Sequence, residues 1–354
     1  MGYETKLTER RKTADPVRIA NLDGLRGLVA SLVVAAHLNL FLAPRFTPPW
    51  LTASLGSESV AIFFSLSGFL MAFLYGGRRF DAPDYIVHRF ARIFPVYIFA
   101  VVFSIFLSVL PGLDYIAPIE GPVQIVRHFL MLGSTGVFWS IPPEIQFYFY
   151  FLLLWLWMEN PARYQWVPLM TAALLVICAQ TGFAGPGILL TSKLPYFLFG
   201  VVAGRLFAKE RQRFRHPATG FVCLALLTFY LFYGMIVPSG AAFWSLTTAF
   251  GAAVIVFLAA FENPVSDIVL GSGVFVLVGK ISFSLYLLHM PVMFLTVRLI
   301  GPMLPNPLAV AIAVVTAYVT AFCSYHLIEK SCRKRLIALW QRNRHVMPSL
   351  AQLG

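Results

Sequence analysis

Residues 19–43 read IANLDGLRGLVASLVVAAHLNLFLA, an apolar run with an aspartate, an arginine and a histidine inside it. About 20 consecutive apolar residues are enough for a helix to cross the hydrocarbon core of a membrane. Ionisable groups at that depth are costly and mark functional sites by default. The stretch therefore predicts a transmembrane helix whose polar residues serve a function.

The composition of the whole chain agrees with this interpretation. Of 354 residues, 59% are hydrophobic and 12% are charged, against about 45–50% and 25% in ordinary soluble domains. Burying so much apolar surface away from water would need a core larger than one domain builds. The composition excludes a soluble enzyme, a disordered protein and a disulfide scaffold. It predicts an all-α, polytopic membrane protein.

The basic residues, 27 Lys and Arg against 15 Asp and Glu, lie mainly in short segments between apolar runs. Such loops are typical of the cytoplasmic side of a membrane protein. Because no basic groove interleaved with aromatic residues is present, we expect membrane lipids and no nucleic acid as partners. The four cysteines have no paired spacing, so we expect neither a disulfide framework nor a metal site.

Apolar runs and helix breakers predict about ten transmembrane helices. An even number of spans with basic ends places both termini in the cytoplasm, and we expect the cytoplasmic (inner) membrane. One transmembrane domain, 19–329, follows a basic segment at 1–18 and precedes a basic tail at 330–354. The long connection 111–142 is a candidate re-entrant segment on the opposite side. The predicted helices are 19–43, 57–75, 85–110, 143–158, 165–182, 187–207, 217–237, 241–261, 272–299 and 306–328.

Arg26 and His37 are 11 residues apart, which places them on one face of a helix, roughly 16 Å apart along its axis. Arg26 then lies near the cytoplasmic boundary and His37 toward the far side, and neighbouring glycines allow another helix to approach. The structural alternative is that Arg26 snorkels beside Asp23 while His37 bonds a backbone carbonyl. We favour the functional interpretation for the pair.

Arg89 and Arg92, at i and i+3, project from the cytoplasmic end of the predicted third helix. Two adjacent guanidiniums suit a phosphate ligand, because each can form two parallel hydrogen bonds. A positive anchor for lipid headgroups is the equal alternative.

Two further segments carry polar side chains. Glu144 lies at the head of the fourth predicted helix, where Ser140 is a candidate N-cap. With Gln146 and Tyr148, it makes a cluster that could bond sugar hydroxyls or orient a histidine, although the helix N-terminus alone also favours an acid.

Late in the chain, three residues share one helical face at spacings of four and three, and a structural role for them is equally open. They are Ser282, Tyr286 and His289.

Together these segments resemble the acyltransferase-3 family of integral-membrane acyltransferases. The resemblance covers residues 21–291, and its motifs occur in the family's order. The chain departs from the family pattern at Pro142-Pro143 and Ile145, and the terminal Ile328-Glu329 is not followed by the usual proline. The motifs are Leu22–Gly27 with the Arg-x10-His pair Arg26 and His37, Phe63–Leu70, Arg89-x-x-Arg92, Trp139–Tyr148 and Ile281–Pro291.

The resemblance implies transfer of an acyl group, most often acetyl, from cytoplasmic acyl-CoA to a hydroxyl of a carbohydrate. His37 has the chemistry of a general base, and Glu144 could orient its imidazole or stabilise its protonated form. Arg26, Arg89 and Arg92 would hold the CoA phosphates. Acyl-CoA would be a substrate, and we expect no bound cofactor and no metal.

Other functions compete with this one. A macrolide or another small glycosylated metabolite is an alternative acceptor. Both direct transfer and a covalent acyl-histidine relay fit the residues. A secondary transporter or glycan flippase would also bury charged groups, but the inverted repeats typical of such proteins are not recognisable in the sequence.

Overall fold

The computed structural model describes residues 18–48, 53–180, 187–210, 216–236 and 243–346, and within these ranges the chain is helical without strands. The all-α prediction is confirmed for this part of the chain. The helices are α1 Ala20–Ala36, α2 Ala53–Tyr75, α3 Ala82–Val109, α4 Gly121–Phe129, α5 Ile141–Glu159, α6 Trp166–Gln180, α7 Leu194–Glu210, α8 Pro217–Leu231, α9 Tyr233–Ile236, α10 Leu246–Ala259, α11 Pro264–Val269, α12 Gly273–Ile300, α13 Asn306–Ser324 and α14 Lys330–Val346.

Each of the ten predicted segments contains a helix, but they differ in length. Four candidate spans in the described chain are long and apolar enough to cross a membrane: Leu55–Tyr75, Ala82–Val109, Gly273–Met303 and Asn306–Arg344. α6, α8 and α10 are apolar but shorter. The chain has the apolar helices of a membrane protein, and the count of ten spans and the orientation of the termini remain predictions.

α12 packs against α1 on one side and α13 on the other, and glycines make the first contact close. A Cβ atom at Gly27 would overlap the carbonyl oxygen of Phe275, and one at Gly279 would overlap that of Asp23. The expected close approach of a neighbour to α1 is therefore confirmed. This contact holds α12, which carries His289, against α1, which His37 directly follows.

The first predicted helix is too long. α1 ends at Ala36, and His37 begins a 3-10 turn that runs to Leu40. Asn306, at the start of α13, then holds the chain out of helical geometry. Its side chain accepts a hydrogen bond from the backbone N–H of Ala43 (2.8 Å) and donates one to the carbonyl oxygen of Phe41 (2.9 Å).

The connection 111–142 folds back against α3. It contains α4 and a 3-10 turn, Gly136–Ser140. The hydroxyl of Tyr97, about midway along α3, donates to the carbonyl oxygen of His128 (2.7 Å), and Phe138 packs on the ring of Tyr97. The connection is thus anchored to α3 at His128 and Phe138, while many of its other side chains are exposed, and its re-entrant position stays a prediction.

Candidate functional site

A small cavity lies between α1, α2, α3, α5 and α12. Apolar side chains of α2 and α3 form much of its wall. The polar groups converge on it from different helices, although they are far apart in the sequence. The polar lining residues are Arg26, Ser67, Arg92, Ser140, Glu144, Ser282 and Tyr286.

Arg26 and Arg92 bring two guanidiniums to this cavity. Arg26 does not pair with Asp23, because that carboxylate is bound by Arg18 at the end of the helix. Arg26 makes no direct bond to Asp23, and it lies within electrostatic reach of Arg92, Asp23, Glu329 and Glu144. The alternative in which Arg26 snorkels beside Asp23 is therefore not the observed arrangement.

Glu144 is held by two hydroxyl donors. Ser67 of α2 donates to its Oε1 (3.1 Å), and Tyr148, one turn along α5, donates to the same oxygen (2.5 Å). These bonds orient the carboxylate at the cavity wall. They do not join it to His37, so the expected contact between Glu144 and the imidazole is not formed in this structure.

Arg89 and Arg92 diverge, which corrects the expectation of a shared phosphate clamp. Only Arg92 lines the cavity. Arg89 donates from Nη2 to the hydroxyl of Tyr75 (3.0 Å), and its guanidinium carbon lies 5.3 to 5.8 Å from the ring centres of Tyr75, Tyr85 and Tyr148. Stacking on aromatic rings stabilises a buried guanidinium. Since Tyr148 also donates to Glu144, Arg89 acts on the carboxylate indirectly, through its contact with Tyr148.

His37 pairs with a second histidine. Nε2 of His289 lies 3.3 Å from Nδ1 of His37, which also lies 2.8 Å from the carbonyl oxygen of Val33. Nδ1 of His289 faces the carbonyl oxygens of Leu285 (3.1 Å) and Tyr286 (2.8 Å). The suggested carbonyl bonds of both histidines are therefore present, and the two rings also contact each other.

The partners assign the protons of both rings. A carbonyl oxygen only accepts, so Nδ1 carries the proton in His289 and in His37. Neutral His289 then offers the lone pair of Nε2 to the Nδ1–H of His37. This leaves Nε2 of His37 unprotonated, which is the state that a general base requires.

The remaining predicted residues divide between the cavity wall and the scaffold. Ser140 does not cap α5, since its hydroxyl donates to Tyr286 (2.8 Å), which donates to the carbonyl oxygen of Val137 (3.0 Å). Ser282 lines the cavity but donates to Gly279 within its own helix. Gln146 bonds Ile188 and Leu190 in the loop before α7, a structural role.

Tyr286 stands between the cavity and the histidine pair. Its ring lines the cavity and lies 6.3 Å from that of His289, while His37 is outside the lining set. Neither histidine therefore lines the cavity that holds the cations, and Tyr286 adjoins both groups.

Glu329 is a candidate site residue that sequence reasoning missed. It is 6% exposed, in a π-helical turn after α13, and its Oε2 accepts from Ser284 of α12 (2.8 Å). Arg26 and Arg92 both lie within its electrostatic reach. The sequence did contain a signal, because this glutamate lies at the end of the last apolar run. It was noted there only because the proline that usually follows it in the family is missing.

Comparison with known proteins adds the family. The model of an acyltransferase domain, acyltransferase 3, matches residues 19–326. Acyltransferase MdmB of Streptomyces mycarofaciens is 26% identical over 322 residues, covering 80% of this chain and 81% of that protein. Protein 2 in picA locus of Rhizobium radiobacter is 34% identical over 89 residues, 24% of this chain and less than half of that protein. No solved structure matches the chain.

Proposed function

Because the chain belongs to the acyltransferase-3 family, as its motifs indicated, we propose that it transfers an acyl group, acetyl in the first instance, from acyl-CoA to a hydroxyl of a carbohydrate. The carbohydrate is a surface polysaccharide or a lipid-linked glycan. The enzyme spans the cytoplasmic membrane with both termini inside. The donor enters from the cytoplasm and the acceptor from the opposite side.

One observation supports this proposal above the others. Tyr286 lines the cavity that holds two guanidiniums, Arg26 and Arg92, and its ring lies 6.3 Å from that of His289. His289 in turn contacts His37, which has one ring nitrogen free. A phosphate-bearing donor suits the guanidiniums, and a hydroxyl acceptor requires a base. The acyl group has to pass beyond the cavity to meet His37.

The direct reaction uses Nε2 of His37 as the base. It takes the proton of the acceptor hydroxyl while the oxygen attacks the thioester carbonyl. The carbon–sulfur bond then breaks, CoA leaves as the thiolate, and the imidazolium returns the proton to sulfur. In a relay, Nε2 itself attacks the thioester, the carbon–sulfur bond breaks and CoA leaves as the thiolate. The acceptor hydroxyl then attacks the acyl-imidazolium, the acyl–Nε2 bond breaks, and the proton of the hydroxyl passes through Nε2 to the thiolate or to solvent. Both routes need the same free nitrogen.

The other residues support these steps. Arg26 and Arg92 bind the phosphates of the donor. Glu144, fixed by Ser67 and Tyr148, offers an acceptor to a hydroxyl in the cavity. His289 orients His37 in the way that a carboxylate orients the histidine of a hydrolase triad.

The test is a transfer assay with the purified chain in lipid nanodiscs. Acetyl-CoA labelled in the acetyl group is supplied with neutral and acidic oligosaccharides, and both transferred label and released CoA thiol are counted. We expect label and thiol in equal amounts. Labelled protein in the absence of acceptor would identify the relay. If the chain neither releases CoA nor transfers label to any oligosaccharide, the proposed reaction is contradicted.

A further inference from the structure

The C-terminal helix α14 follows the part of the chain that the family model matches, yet it is tied to the bundle at both ends. Just before it, Glu329 accepts from Ser284. Near its other end, the indole N–H of Trp340 donates to Asp84 (3.2 Å), and Arg344 pairs with Asp81 (2.5 Å) at the start of α3. The helix is therefore held alongside α3.

Arg333 of α14 is exposed and yet lies close to charged groups of the bundle. Arg333 lies four residues after the buried Glu329, so the two side chains share one helical face. Arg333 lies within electrostatic reach of Glu329 and of Arg92 and Arg89 on α3. Its guanidinium is thus a third cation beside Arg26 and Arg92, and it lies outside the cavity, toward the end of the bundle.

These three cations form no direct ion pair, although Glu329 lies within electrostatic reach of all three. Within the described ranges, Arg26, Arg92 and Arg333 make no hydrogen bond and no ion pair. Three guanidiniums with mutual repulsion are stabilised by an anion that bonds more than one of them, and phosphate is the anion whose oxygens suit this geometry.

Space for such an anion lies beside Arg333. A cleft that is open to solvent runs along this face of α14, next to Glu329. Its lining includes Tyr325 and Gln341, whose hydroxyl and amide could bond a nucleotide. The cationic residues that line the cleft are Lys330, Arg333 and Lys334.

We propose that this cleft, with Arg333 as its central residue, binds the nucleotide phosphates of the acyl-CoA donor. The inference rests on the proposed function and names the part of the site that holds the donor's nucleotide. The pantetheine arm would then run past Arg92 and Arg26 into the cavity. An anionic lipid headgroup offers the same phosphate chemistry, but the proximity of Arg333 to Arg92 favours the donor.

Binding of unacylated CoA and of adenosine 3′,5′-bisphosphate to the purified full chain in neutral detergent tests this inference. Arg333→Gln is compared with Arg335→Gln, which removes the same charge from the same helix at a position outside the cleft. The loss of one hydrogen bond to a charged group costs a free energy that corresponds to about a tenfold or larger decrease in affinity. We expect Arg333→Gln to weaken binding of both ligands by that factor and Arg335→Gln to leave both within about twofold.

The same variants in nanodiscs with and without phosphatidylglycerol distinguish the two sources of phosphate. If Arg333→Gln binds both ligands as the unmodified chain does and only loses its preference for phosphatidylglycerol, the cleft is a lipid site and the inference is wrong. Equal weakening by the two variants would indicate general attraction by a basic helix and would also overturn it. If the unmodified chain binds no CoA at all, the acyl-CoA donor of the proposed function fails as well.

Discussion

Nε2 of His289 lies 3.3 Å from Nδ1 of His37, and the two residues are 252 positions apart in the chain. The contact joins α12 to the first residue after α1. Since carbonyl oxygens fix the proton on Nδ1 of both rings, His289 acts as a positioning residue that keeps Nε2 of His37 free for a proton. The base and the group that orients it are thus both histidines.

Replacing His289 should reduce turnover and leave donor binding intact. His289→Leu removes the lone pair that receives the Nδ1–H of His37, and we expect kcat to fall on the order of 10²-fold. The Kd for CoA, measured by calorimetry, should stay within about twofold because neither histidine lines the cavity that holds the donor cations.

His289→Gln provides the conservative comparison, since its amide oxygen can accept the same hydrogen bond. We expect it to retain several-fold more activity than His289→Leu. Equal loss in two variants that are both well folded would show that His289 contributes packing rather than orientation.

Arg89 and Arg92 should have separable effects, because only Arg92 lines the cavity. Arg92→Ala should weaken CoA binding about tenfold or more, the value of a lost charged hydrogen bond. Arg89→Ala should lower kcat through the loosened Tyr148 and Glu144, with CoA affinity nearly unchanged. Calorimetric titration of both variants with CoA checks this. A large affinity loss in Arg89→Ala would instead support a phosphate clamp shared by Arg89 and Arg92.

The packing of α12 on α1 predicts opposite signs for two glycine substitutions in one helix. A Cβ at Gly279 would overlap the backbone of Asp23, so Gly279→Ala should destabilise by about 1–3 kcal/mol. At Gly273 nothing lies within 4 Å, and alanine there should be neutral or stabilising. Thermal unfolding in detergent measures both, and an unfolding temperature unchanged in Gly279→Ala would contradict the close contact.

The two-sided arrangement predicts where introduced cysteines react. Pro118 and Gly77 are both exposed, in connections that the charge bias assigns to opposite sides. In a background with Cys323 and Cys332 replaced by serine, an impermeant thiol reagent added outside intact cells should label Pro118→Cys. It should label Gly77→Cys only after the membrane is opened. Labelling of both from the same side would contradict the topology and the separate entry of donor and acceptor.

The sequence alone was sufficient to predict the class of fold and much of the cavity. Apolar length located the helices, and glycines beside Arg26 indicated the close approach of α12. Periodicity, however, assigns a residue to a face and not to a partner. It could not show that Arg92 faces the cavity while Arg89, one turn earlier, faces three tyrosines.

Contacts between segments that are far apart in the sequence could not be predicted either. The motif containing His289 carried no sign that it meets His37, because that depends on how α1 and α12 pack. The bonds of Asn306 to Phe41 and Ala43, in the segment after α1, join residues more than 260 positions apart. Glu329 is a candidate site residue only because the fold places Ser284, Arg26 and Arg92 around it.

The most direct test of the account is the rate of acetyl transfer from acetyl-CoA by purified His37→Ala, measured beside the unmodified chain in nanodiscs. We predict a loss on the order of 10²-fold or more, with an unchanged unfolding temperature and an unchanged Kd for CoA. Transfer at the unmodified rate by this folded, CoA-binding variant would contradict the role of His37 as the catalytic base.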